Sequence, residues 1–150
     1  MLVFRITKTK YASDISGTGA AIYPGRWNKK STPVLYTGIN TEIALLETIV
    51  HLPPMVSPSL DILTLDIPEN SIMKWQVEDL PRNWSDYPAP TLLAEIGQEW
   101  ISEAKYLALQ VPSSIISTSH ILILNCLHPR YSEVKIIDQK KFLFDPRLKK

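Results

Sequence analysis

The sequence predicts an α+β domain built on a mixed, mostly antiparallel sheet with few helices. Three observations carry that expectation. Strand-like runs are numerous, only two segments have convincing helical spacing, and the twelve prolines fall largely where elements change. No internal repeat, low-complexity tract or long linker divides the chain, so residues 1–150 are expected to form one domain.

Leu2–Thr7 (LVFRIT) reads as an opening strand, and Ser16–Lys30, with Gly17, Gly19 and Gly25, as a glycine-rich loop. Pro33–Thr37 (PVLYT) is a short strand. Asn40–Leu52 (NTEIALLETIVHL) reads as a helix that Asn40 or Thr41 can cap and that Pro53-Pro54 stops. Leu60–Pro68 alternates, with Leu63, Leu65 and Ile67 on one face. Thr91–Lys105 is a second helix, with Leu93, Ile96 and Trp100 at helical spacing and Thr91 placed as its cap. Tyr106–Pro112 and His120–Leu127 read as strands. Val134–Asp145 resembles a terminal hairpin, although Gln139 and Lys140 are not favoured turn residues.

Composition narrows the function. Hydrophobic residues at 45% and charged residues at 21% are globular proportions, and a formal net charge of +1 disfavours a nucleic-acid or anionic-membrane surface. No apolar run approaches bilayer-spanning length, and MLVFRITKTK lacks the order of a signal peptide. The lone Cys126 forms no internal disulfide, which together with these features predicts a cytoplasmic protein. His51, His120 and His128 have no metal-ligand spacing, so no metal site is expected. SGTGAAIYPG matches neither a P-loop nor a dinucleotide fingerprint.

Glu47 is the most informative position. It lies in IALLETIV among Ile43, Ala44 and Val50, and a carboxylate in apolar surroundings is costly unless something pairs with it. It is either at a solvated edge or half-buried and partnered. Arg26 follows Gly25, where the backbone can turn tightly and approach a bound group. Its guanidinium is a fork suited to phosphate or carboxylate, or else a structural group stacked on Trp27 or bonded to loop carbonyls. Arg5 fits a structural ion pair better than a site. Tyr23 and Tyr36 bracket the turn and can stack on a heteroaromatic ring or pack as ordinary aromatics. Trp27 and Trp100 read as packing residues, and Asn28 can brace the loop. Ser113, after Val111-Pro112, has no nucleophile-elbow sequence around it.

The ordered set GTGAAIYPGRWN, VLYT, IALLE, LALQVPS and ILILNCLHP resembles the RES domain family of bacterial toxin–antitoxin modules, from FRI to HPRY. By motif, the arginine, glutamate and serine that name the family fall on Arg26, Glu47 and Ser113, and its aromatic positions on Tyr23 and Tyr36. Two departures stand out: Pro24 where the family often has a second glycine, and Asn125-Cys126 where it usually reads Asn-Pro. The resemblance implies a fold similar to ADP-ribosyltransferase toxins and a growth-arresting activity that cleaves the nicotinamide–ribose bond of NAD. It further implies NAD as substrate with no separate cofactor, a helix-turn-helix antitoxin that blocks the site, and room for a homodimer within the toxin–antitoxin complex. In that chemistry Glu47 stabilises charge developing on the ribose, Arg26 grips the diphosphate, and Tyr23 and Tyr36 orient the nicotinamide. Ser113 and Asn28 complete the substrate-binding set. Two other functions fit the same residues: mono-ADP-ribosyl transfer to a protein target, and a non-catalytic protein-binding module.

Overall fold

The structure, a computed structural model, describes residues 1–54 and 58–148. Its frame is one seven-stranded sheet. The strands are β1 (Leu2–Lys8), β2 (Val34–Gly38), β3 (Leu60–Asp66), β4 (Ile72–Lys74), β5 (Ala108–Pro112), β6 (His120–Asn125) and β7 (Lys135–Phe142). Their order is β4-β5-β6-β2-β1-β3-β7, and every pairing is antiparallel except β4 with β5. The mixed, mostly antiparallel sheet is therefore as the sequence predicts. Among the described residues, three α-helices accompany it: α1 (Thr18–Ile22), α2 (Thr41–Ile49) and α3 (Thr91–Glu103).

The alternation in the strands sorts side chains into two cores. On the helix face, Val34, Leu109, Val111, Ile121 and Ile123 pack with Trp27, Ile43, Leu93 and Trp100. Ala44 of α2 continues that face over Ile6 and Leu60. On the opposite face, Val3, Leu35, Leu65, Leu122 and Leu124 pack with Val134, against which Ile15 and Tyr131 lie. Central β5 and β6 are buried along almost their whole length because both faces of the sheet are covered there.

Several boundaries differ from the sequence expectation, each for a local reason. The Ser16–Lys30 loop contains the short helix α1. α2 ends at Ile49, short of the prolines, although turn-like bonds from His51 and Leu52 prolong the coil. Asn40 is its cap, accepting the Ile43 N–H at 2.8 Å. Thr48 donates its hydroxyl back to Ala44 O (2.8 Å) and across to Ile6 O (3.0 Å), tying the end of α2 to β1. Thr91 is the first residue of α3 and not its cap, a place taken by Pro90 without any side-chain hydrogen bond. The expected hairpin at Val134–Asp145 is instead one continuous edge strand, β7, paired with β3 along Leu60–Asp66. Gln139 sits mid-strand and donates to the buried Asp61 carboxylate at 2.7 Å. β4 was not foreseen, because three residues are too few to show a period.

One contact fixes the turn that carries Trp27 to this frame. Gly97, in the middle of α3, lies so close to the Trp27 carbonyl that a Cβ at that position would collide with it. Replacing Gly97 with alanine should therefore destabilise the protein by about 1–3 kcal/mol through overpacking. Gly19→Ala, where a Cβ meets nothing, should stay within about 1 kcal/mol of wild type. Denaturant midpoints of the two variants check this, and equal midpoints would show that α3 gives way freely.

Candidate functional site

The site begins at the turn Tyr23–Asn28. Trp27 is buried in the helix-face core and meets Trp75 edge-on at 6.2 Å between ring centroids. Anchored beside it, Arg26 remains only half-buried. Its Nη1 donates to the carbonyls of Trp84 (2.9 Å) and Asp86 (2.8 Å) in the segment before α3. The carbonyl-bonded role considered from sequence is thus real, and stacking on Trp27 is not needed to explain it. Nε and Nη2 have no hydrogen-bond partner among the described residues. Burial lowers the Arg26 pKa from its ordinary value, while Glu47 first, then Tyr36 and Asp86, act in the opposite sense. An arginine so placed remains a cation.

Glu47 projects from α2 and is half-buried. Ser113, fully buried at the end of β5, donates its hydroxyl to Glu47 Oε1 at 2.8 Å. The same Ser113 Oγ accepts the backbone N–H of Ile115 (3.1 Å) and of Ile116 (3.3 Å). With its proton given to Glu47 and its lone pairs occupied, this hydroxyl holds a carboxylate. Glu47 Oε2 has no hydrogen-bond partner among the described residues. Glu47 acts electrostatically on Arg26, but the two form no ion pair within 4.0 Å. Of the residues expected to flank Glu47, Ile43 and Ala44 are buried, whereas Val50 is 58% exposed.

The two tyrosines part company. Tyr23 is 83% exposed at the entrance to the turn. Tyr36, on β2, faces inward: its hydroxyl donates to Asn28 Oδ1 (2.7 Å) and accepts the Trp27 N–H (3.0 Å). Gly25 makes room for the Tyr36 ring, whose nearest atoms would stand 2.8 Å from a Cβ at that position. The glycine is thus required for this close packing. Asn28 is 1% exposed and braces the loop with its whole amide, so it does not face a ligand as the binding set suggested.

Other candidates lie elsewhere. Arg5 makes no ion pair among the described residues, contrary to expectation, and its buried Nη1 has no hydrogen-bond partner. Asn125 braces the end of β6, donating to Ile101 O (3.3 Å) and accepting the Leu127 N–H (3.0 Å). The Cys126 thiol is pushed up to about 11 by burial and stays protonated, which makes it a poor nucleophile. A cavity of about 190 Å³ lined by Met73, Trp75, Ile96, Glu99, Trp100 and Glu103 contains neither Arg26 nor Glu47. Its two carboxylates repel an anionic ligand. Sequence reasoning missed the Trp84 and Asp86 carbonyls and the Ile115 and Ile116 amides. Backbone groups of this kind carry no residue-type signal.

Residues 2–145 match the family model of the RES domain. The chain belongs to the RES domain family. Among its RES relatives, a "Toxin Res" of Yersinia enterocolitica is 36% identical over 152 residues, covering 99% of this chain and 100% of the relative. A "Prs ADP-ribosylating toxin" of a Sphingobium species is 31% identical, covering 94% of this chain and 90% of the relative. Among solved structures, a chain of the M. tuberculosis MbcT–MbcA toxin–antitoxin complex shares the RES fold of this protein. Its TM-score is 0.74 at 14% identity, over 94% of this chain and 83% of that one. No helix among the described residues is long and apolar enough to cross a membrane.

Ser113 joins the carboxylate to the loop that follows β5. Ser113→Ala removes the donor to Glu47 and leaves two N–H groups without their acceptor, so stability should fall by about 1–3 kcal/mol. Thermal or denaturant unfolding measures this, and an unchanged midpoint would mean that the loop rearranges at no cost.

Proposed function

We propose that this RES-domain protein is a bacterial toxin that cleaves the nicotinamide–ribose bond of NAD, with water or phosphate as acceptor. One observation supports this most: Glu47 is aimed by Ser113 with one oxygen left open, near a guanidinium that is not its ion-pair partner. Breaking that glycosidic bond develops positive charge on the ribose, and a fixed carboxylate stabilises it where it forms. The open edge of Arg26, Nε and Nη2, suits two oxygens of a diphosphate. Tyr23, exposed beside the turn, offers a flat face to a heteroaromatic ring. Ser113 acts through Glu47. Nicotinamide leaves as a neutral molecule, so departure requires no protonation by the protein.

The relatives named as toxins and the fold shared with a toxin–antitoxin complex support an antitoxin partner, for which we propose a helix-turn-helix protein that covers the site. Transfer of ADP-ribose to a protein is a second reading, favoured by the name of the Sphingobium relative. NAD labelled in its adenine separates the two, since transfer leaves label on a macromolecule and simple cleavage leaves it small.

Incubation of the purified protein with NAD should release nicotinamide, followed by chromatography. Glu47→Gln should lower the rate at least about 100-fold with folding and antitoxin binding retained. Absence of nicotinamide release by the folded wild-type protein would refute the proposal.

A further inference from the structure

Asn28, buried, and Tyr36, half-buried, lie close to Arg26 in sequence, and their hydrogen-bonding heads are not used by the cleavage chemistry. Their bonds converge on the backbone N–H groups of the two residues that flank the arginine. Before it, the Gly25 N–H donates to Asn28 Oδ1 at 2.9 Å. After it, the Trp27 N–H donates to the Tyr36 hydroxyl at 3.0 Å. The loop closes on itself because that hydroxyl donates to the same Asn28 Oδ1 at 2.7 Å. The Asn28 amide nitrogen then reaches Ala20 O (2.9 Å) and Thr32 O (3.1 Å), tying the turn to α1 and to the approach to β2.

An asparagine side chain has two acceptor sites and two donors, and here all are engaged. A phenol has one donor and accepts well from one N–H, and both are engaged too. Neither polar head retains capacity for a ligand. Burial raises the Tyr36 pKa above its ordinary value, so the hydroxyl keeps the proton that the network needs.

We propose that Asn28 and Tyr36 are positioning residues that lock the backbone on both sides of Arg26, so that its guanidinium meets an anionic ligand already oriented. This rests on Arg26 being the diphosphate clamp. Arginine carries roughly 2 kcal/mol of rotamer entropy, and the turn beneath it is irregular, so without the lock a ligand would have to order both. Such a lock acts on ground state and transition state alike. Its loss therefore raises KM and spares kcat.

Tyr36→Phe is the decisive variant, because it keeps the ring beside Gly25 and deletes only the hydroxyl. The KM for NAD should rise about tenfold while kcat stays within about threefold of wild type. Asn28→Ala should move KM in the same direction, with a larger fall in thermal midpoint. An unchanged KM in the folded Tyr36→Phe protein would overturn the proposal, and so would a fall in kcat at constant KM, which would put the hydroxyl at the reacting centre. Nitrogen-15 relaxation of the Arg26 backbone and Nε–H gives a readout independent of turnover. Increased mobility in Tyr36→Phe supports the lock even if wild type leaves NAD intact, which would sink the cleavage chemistry alone, whereas unchanged mobility overturns the lock.

Discussion

Everything at this site depends on two opposite charges being held near each other without neutralising each other. Arg26 is fixed by two backbone carbonyls and Glu47 by one hydroxyl. Were they an ion pair, an incoming ligand would have to break it and then compete with each partner for the other. Neutral anchors avoid that. They fix orientation through one nitrogen and one oxygen, and leave the rest of each group open. The electrostatic attraction between the two charges persists, and it helps a partly buried guanidinium stay charged.

The sheet order explains how so few residues manage this. β5, β6 and β2 are neighbours, and α2 follows β2 directly, so Ser113, Tyr36 and Glu47 are delivered to one region by regular elements. Arg26 alone comes from an irregular turn. That turn is held by the burial of Trp27, by the approach of its carbonyl to Gly97, and by the bonds of Asn28 and Tyr36. A loop with several independent supports can be as well placed as a strand.

The sequence revealed the charges more readily than their surroundings. Alternation in Leu60–Asp66 and the apolar run of β6 expose the sheet, and Asn40 before TEIALLE announces the start of α2. Glu47 stands out because a carboxylate among leucines and isoleucines demands a reason. What the residue types cannot show is which tyrosine turns inward. Tyr23 and Tyr36 look equivalent on either side of the turn, yet Gly25 lies against the ring of Tyr36, whereas Tyr23 follows the end of α1 and stands exposed. Arg5 misleads for the same reason: a cation in a strand suggests a carboxylate nearby, but the described neighbours give it no ion pair. The hairpin expected near the C-terminus fails because Gln139 finds Asp61 across the sheet, a tertiary bond that no local propensity encodes.

The surface around the charges follows from the same construction. Tyr23 opens the turn that carries Arg26, and Tyr87, 90% exposed, follows the Asp86 carbonyl that holds it. Ile115 and Ile116, both exposed, give their amides to the serine that holds Glu47. Single exposed apolar side chains are ordinary on a protein surface. Here four of them sit on the loops that hold the two charges. A macromolecule that buries them gains roughly 25 cal/mol for each Å² of apolar surface removed from water, and it restrains the same backbone that orients Arg26 and Glu47. Covering that rim would therefore also restrain the loops that place both charges, because the exposed side chains and the anchoring backbone groups belong to the same loops.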